Sequence, residues 1–177
     1  FDILIDDVTL YYQKQNLVRK DETGEKKTTP VPEKVKQGGC SANPATYTVP
    51  SNFSLGTMGG FPKYNEMLAQ LDSMASKFPL LITPRQPIDT LTSIEGRPIY
   101  WLKISDNPDS NESEPEVFYN ALAHAREPAG LSQLLFFMWY LLENYGIDAE
   151  VTYIVDNFEL YFVPCVNPDG YIYNQTT

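Results

Sequence analysis

"EVFYNALAHAREPAGLSQLLFFMWYLLENYG", residues 116–146, decides how the rest of the chain is read. The first eight residues are near-continuous in apolar character, which predicts a strand, 116–123, central in its sheet. Gly130 to Tyr145 is apolar on nearly all sides and predicts a buried helix that Gly146 ends. Pro128 disfavours helical backbone at Glu127 and suits the first helical position itself. Between the two elements stands His124, the single histidine of the chain, with Glu127 three residues on. Strand C-termini in open α/β sheets face the ligand crevice, so the pair lies where a site would form.

A spacing of three lets both side chains converge on one point in a tight turn. Imidazole nitrogen and carboxylate oxygen are both good zinc ligands at about 2 Å. A catalytic zinc also keeps one position for a water that it activates. The pair alone does not decide the matter. Glu falls at a fixed distance from a given His by chance about one time in fifteen, and a histidine beside an apolar strand is often a hydrogen-bonded core residue. Zinc also wants a third protein ligand, which a chain with one histidine must find elsewhere.

Downstream, residues 148–156 read as a short helix. "ELYFVPCV", 159–166, reads as a second buried strand, ended by the turn signal "NPDG", 167–170. Upstream, 61–78 is a helix: Pro62 suits its first turn, and Pro79 stops it. Tyr64, Met67, Leu68, Leu71, Met74 and Phe78 form one apolar stripe. "LLITPRQPIDTLTSIEGRPIYWLKIS", 80–105, predicts two strands around the turn "EGRP", and the charged and prolyl stretch 106–116 a loop. Alternating strands and helices make an α/β unit, with an incomplete, mixed and mostly parallel sheet flanked by helices.

Residues 1–20 read as a short strand, "DILI", and a helix, "VTLYYQKQNLV". Residues 21–60 show no sustained period and are rich in Pro, Gly, Ser and Thr. That is too long for an internal loop of a compact domain, so the stretch is read as a linker that becomes the first wrapping segment of a second unit. No internal repeat is visible.

With 42% apolar and 13% aromatic residues the chain can build a core. The formal charge of −10 argues against nucleic acid or anionic membrane as partner. No apolar run reaches the roughly 18 residues of a membrane span; "LLFFMWYLL", 134–142, comes nearest and fits a buried helix. The opening "FDILIDDVTL" has no basic n-region and no initiator Met, so it is not a signal peptide, and the chain reads as cut from something larger. Cys40 lies in a Gly-rich loop and Cys165 in an apolar strand. The two can pair, or stand as one exposed and one buried thiol, and they do not fix the redox compartment.

"HAREP" after an apolar strand, the long apolar helix, and the later "FVPCVNPDGYIY" together resemble the zinc carboxypeptidases of the carboxypeptidase A/B family. "SIEGRPIYWLKIS" resembles the Glu-Gly-Arg turn and following strand of the same fold. "FDILIDDVTLYYQKQN" looks like the last strand and connecting helix of the family's inhibitory pro-domain. The resemblance covers roughly 1–20 and 61–173. It implies a pro-domain end at 1–20 and the front part of a peptidase domain at 61–177, with the linker and wrapping segment 21–60 between.

The same resemblance implies His124 and Glu127 as two of three zinc ligands and Arg126 as a contact to the peptide substrate; an ordinary surface salt bridge is the alternative for Arg126. Asp169 reads as structural. The expected reaction is hydrolysis of C-terminal peptide bonds, by a secreted monomeric enzyme made as a zymogen. In the family the third ligand, the general base and the residues holding the substrate's free carboxylate lie further along than "YIYNQTT". The chain alone is therefore expected to be truncated and inactive, with no catalytic base of its own. A non-catalytic peptide-binding module and a deacylase of related fold remain the rival readings.

Overall fold

The computed structural model describes residues 48–175, all within one compact unit. The strand and helix expected at 1–20, Cys40, and most of the linker lie outside the described residues. The elements run α1 (Tyr64–Lys77), β1 (Gln86–Thr92), β2 (Pro98–Ile104), β3 (Glu116–Asn120), α2 (Pro128–Asn144), α3 (Ala149–Asn157), β4 (Glu159–Val163) and α4 (Pro168–Asn174). The strands form one sheet in the order β1-β2-β4-β3. It is mixed, as expected, but among the described residues mostly antiparallel rather than mostly parallel. The parallel pair is β3 with β4, whereas β1 with β2 and β2 with β4 are antiparallel.

Period-two alternation sorts the sheet into two faces. Leu102 and Ile104 of β2, Leu160 and Phe162 of β4, and Val117 and Tyr119 of β3 join the core with α1 and α2. The register agrees, setting Leu102 opposite Phe162 and Ile104 opposite Leu160. Trp101, Tyr161 and Phe118 stand on the other face, Phe118 at 62% exposure. The expectation that 116–123 is a central strand therefore fails among the described residues. β3 is an edge strand, its residues alternate between faces, and it stops at Asn120. Ala121 and Leu122 are buried, but as part of the turn that follows.

α1 follows its stripe: Tyr64, Met67, Leu71 and Met74 are buried, and Leu68 and Phe78 pack at the margin. It starts at Tyr64, after Pro62, because Glu66 reaches back to accept from the Lys63 N–H at 2.8 Å and caps the first turn there. α2 is the helix the sequence predicts, with Pro128 in its first turn and Gly146, at φ +74°, closing it. No helix among the described residues is long and apolar enough to cross a membrane.

Residues 48–63, ahead of α1, pack on α1 and α2. The backbone N–H groups at Ser51 and Asn52 donate to the Glu143 carboxylate of α2 at 2.6 and 2.8 Å, and Phe53 meets Phe136 edge-on. Thr57 is held by Glu66 of α1. One feature was unexpected. Lys103 and Glu159, each in an otherwise apolar strand, form a buried ion pair at 2.8 Å. Glu159 also accepts from the Glu112 N–H and the Tyr161 hydroxyl, both at 3.0 Å, so the buried carboxylate is well satisfied.

Candidate functional site

The chain leaves β3 through Leu122, whose backbone is left-handed at φ 55° although it is not glycine. That conformation costs about 1–2 kcal/mol for a residue with a Cβ. Two groups hold it: the side chain is buried, and the carbonyl accepts from the Asn167 N–H at 3.1 Å. The bend turns His124 and its neighbours out of the sheet. His124 is not the core histidine that its apolar surroundings allowed, for its side chain is 66% exposed.

Glu127 is the N-cap residue of α2, but its carboxylate makes no capping bond. Pro128 behind it offers no N–H, and Glu is a poor cap in any case. The carboxylate is left 75% exposed with its charge unspent, and Oε1 lies 4.0 Å from His124 Nδ1. Two ligands about 2.1 Å from one tetrahedral zinc stand about 3.4 Å apart. Two exposed side chains can close that gap by rotation, so the donors fit a shared metal. The Arg126 N–H donates to His124 Nδ1 at 3.3 Å, a long bond that a metal ion would have to displace to take that lone pair. Among the described residues no third His, Cys, Asp or Glu joins the pair.

His124, Arg126 and Ala125 line an open cleft of about 710 Å³ whose other wall is the start and end of α4, with Asn167, Asp169, Gly170, Tyr173 and Asn174. Arg126 is exposed, and its guanidinium has no ion-pair partner among the described residues, unlike Arg85 and Arg97. The surface salt bridge allowed for Arg126 is thus not formed here.

"NPDG" is not the free turn its composition suggested. It is the N-terminus of α4. Asn167 caps the helix by accepting from the Gly170 N–H at 3.0 Å, and Pro168 sits in the first turn. Asp169 accepts from the Ser93 hydroxyl at 2.7 Å, the Glu95 N–H at 2.9 Å and the Arg97 guanidinium at 2.5 Å. Partial burial would raise the Asp169 carboxyl, but these hydrogen bonds and the charge of Arg97 hold it below the ordinary carboxylate value. Its role is structural, as the sequence suggested.

Two residues to which sequence reasoning gave no role shape the loop of His124. Asn174 Nδ2 donates to the Ala125 carbonyl at 2.7 Å. Gly170 lets α4 approach: a Cβ there would stand 2.8 Å from the Ala125 Cβ. The glycine in "NPDG" was visible in the sequence, but the demand on it comes from a neighbour 45 residues earlier, which no local signal carries.

A second acidic group, Asp106, Glu112 and Glu114, brings carboxylate oxygens within 4.8 Å of one another. It lies in the loop that enters β3, whereas His124 follows the strand's exit, so the two are at opposite ends of that strand.

Comparison with known proteins bears on this site. The profile of the family described as zinc carboxypeptidase matches residues 67–177, which include the whole cleft. The chain is 44% identical over 80 residues to carboxypeptidase D of Homo sapiens, covering 45% of this chain and 6% of that protein. It is 30% identical over 118 residues to a zinc carboxypeptidase of Saccharothrix mutabilis subsp. capreolus, covering 67% of this chain and 26% of that protein. Among solved structures, carboxypeptidase A from Helicoverpa armigera superposes with a TM-score of 0.56 at 29% identity, over 65% of this chain and 26% of that one. Thrombin activatable fibrinolysis inhibitor gives 0.57 at 25% identity, over 64% and 27%. The chain thus spans about a quarter or less of the length of these relatives.

Proposed function

This chain belongs to the zinc carboxypeptidase family, and from that premise we propose that it supplies the first two zinc ligands, His124 and Glu127, and a substrate contact, Arg126, to an enzyme that hydrolyses C-terminal peptide bonds. The observation that carries the reading is the approach of His124 Nδ1 and Glu127 Oε1 to 4.0 Å, with His124 itself lining an open cleft. Core histidines and capping glutamates do not meet in this way.

Each side chain has a distinct task. His124 presents Nδ1, whose lone pair is engaged only by the long bond from the Arg126 N–H. Glu127 brings a full negative charge that α2 does not use. Bound between them, zinc would supply Lewis acidity toward a peptide carbonyl and toward water. Arg126 projects an unpaired cation beside that position and suits a peptide carbonyl or carboxylate, which its planar fork can grip with two hydrogen bonds. Asn174 and Gly170 fix the loop carrying all three.

On this reading the third donor is a second imidazole, which the 177 residues with their one histidine do not hold, and the general base comes from the same further part of the enzyme. The substrates are peptide or protein C-termini. Residues 1–20 form the end of a pro-domain, 21–60 the linker and wrapping segment, and 61–177 the first part of the peptidase domain. The enzyme is secreted as a zymogen and works as a monomer. The pro-domain resemblance of "FDILIDDVTLYYQKQN" supports this.

The single imidazole makes the test direct. Titrating the chain with zinc alone and following the ring resonances of its one histidine by NMR reports on His124 without assignment. Saturable shifts that Glu127→Gln weakens are expected. Shifts unaffected by that substitution, or none up to millimolar zinc, would remove the pair as a metal site.

A further inference from the structure

The sequence holds three Asn-x-Ser/Thr triplets: Asn52-Phe53-Ser54, Asn111-Glu112-Ser113 and Asn174-Gln175-Thr176. In a chain that passes through a secretory compartment each is an acceptor for N-linked sugar. The fold separates them sharply.

Asn52 is committed to the wrapping segment. Its Nδ2 donates to Glu143 Oε1 at 2.8 Å, and its Oδ1 accepts from Lys77 Nζ. A sugar on that nitrogen would pry the segment from α1 and α2. Asn174 is committed to the cleft. Its Nδ2 donates to the Ala125 carbonyl at 2.7 Å beside the proposed zinc ligands, and it lines the cleft itself. A sugar there would fill the space a substrate needs.

Asn111 differs on every count. It is exposed in the loop between β2 and β3, and Ser113 is exposed beside it. Its side-chain amide has no hydrogen-bond partner among the described residues. Yet the backbone on either side is pinned: Lys103 Nζ donates to the Ser110 carbonyl, and the Glu112 N–H donates to Glu159 Oε1 at 3.0 Å. The buried ion pair thus holds the loop's base while the Asn111 side chain points into solvent. The loop enters β3 at Glu116, and the cleft follows that strand's exit. The strand's five residues span about 17 Å, so a glycan at the entry leaves the cleft open.

We propose that Asn111 carries an N-linked glycan and that Asn52 and Asn174 do not in the folded protein. The inference rests on the secretory reading. The donor is an oligosaccharide linked through pyrophosphate to a polyprenol lipid. The Asn111 amide nitrogen bonds to the anomeric carbon of the first sugar and gives up one proton. The bond from that carbon to the pyrophosphate oxygen breaks, and the lipid pyrophosphate leaves. Nothing is oxidised or reduced.

The full chain is expressed behind a cleavable secretory leader in a eukaryotic host and recovered from medium and membrane fractions. Treatment with peptide N-glycosidase in heavy-oxygen water turns each glycosylated Asn into a labelled Asp that peptide mass spectrometry locates. Label at Asn111, with a gel shift that Asn111→Gln and Ser113→Ala both abolish and Asn52→Gln and Asn174→Gln both keep, is the expected result. An unlabelled Asn111 in either fraction, or label at Asn52 or Asn174 in chain recovered from the medium, overturns it. The parent protein from its own source tests the premise separately. If the leader-driven chain is labelled at Asn111 and the natural protein is not, the secretory reading fails and takes the inference with it.

Discussion

Asp169, in the first turn of α4, meets Arg97, at the mouth of β2, at 2.5 Å across 72 positions of sequence. With the bonds from Ser93 and the Glu95 N–H, this makes the "SIEGRP" turn and the "NPDG" helix start one unit. The turn braces α4, and α4 in turn braces the loop of His124.

Asp169→Asn keeps the shape and removes the charge, so its melting temperature should fall below that of the parent at neutral pH. The parent's advantage comes from a carboxyl held below its ordinary value of 3.8. A depressed carboxyl stabilises above the unfolded value and loses that contribution as pH falls through the folded one. The gap between the two melting curves should be constant near neutrality and shrink as pH drops below about 4. A gap that does not change with pH would mean the loss is one of shape.

In the complete enzyme, Glu127→Gln and Arg126→Ala should separate ligand from substrate contact. The first exchanges an anionic donor for a neutral amide. Zinc content should drop and activity should fall by orders of magnitude, while the metal-free protein melts nearly as before. The second should keep about one zinc per chain and lose mainly in substrate binding, read as a rise in KM. Atomic absorption and steady-state kinetics on both variants decide it.

Gly170→Ala should act at a distance. The added methyl would stand 2.8 Å from the Ala125 Cβ, so α4 or the His124 loop must move. Zinc affinity of the chain, read from the His124 ring resonances, should fall about 10-fold or more, in the range known for groups that orient metal ligands. Asn174→Ala removes the donor to the Ala125 carbonyl and should weaken zinc in the same direction. Unchanged affinity in both variants would show that the loop holds itself.

The Lys103–Glu159 pair gives a contrasting test. Lys103→Met leaves a buried carboxylate with less to balance it, and should cost about 3–5 kcal/mol in urea unfolding. Lys103→Met with Glu159→Leu should recover most of that, because no charge is then stranded. A double variant as unstable as the single one would show that the pair's bonds to Ser110 and Glu112 matter more than its charge.

The purified chain should show negligible release of C-terminal residues from an amino-terminally blocked dipeptide in the presence of zinc. Turnover that a chelator abolishes would mean the 177 residues contain a base that has gone unrecognised.

Local patterns made much of this legible. The 3.6-residue stripe from Tyr64 to Phe78 and the Pro128-to-Gly146 envelope of α2 were plain, because both are periodic and punctuated. What failed was non-local. "EVFYNALA" reads as one apolar run, yet within the strand only Val117 and Tyr119 face the core, and Ala121 and Leu122 reach it from a bend held by the Asn167 N–H. "NPDG" carries turn residues that serve equally as Asn cap and Pro first turn, and composition does not choose between them. The lone Lys in "YWLKI" and lone Glu in "ELYFV" were a signal of a buried pair that only the strand register could join. At the site, spacing brought His124 and Glu127 together on paper. The residues that hold them, Gly170 and Asn174, come from the other wall of the cleft.

Leu122 has a consequence for how this protein can drift. Its backbone asks for glycine, and its surroundings ask for a leucine-sized hydrocarbon at 3% exposure. Glycine would relax the backbone and leave a void. A β-branched residue would fill the space and sharpen the strain, and asparagine would suit the angle but bury an amide. Every single step away is downhill in fitness on one count or the other. In a library randomised at this position, survivors should be few and large and unbranched at Cβ, with methionine foremost.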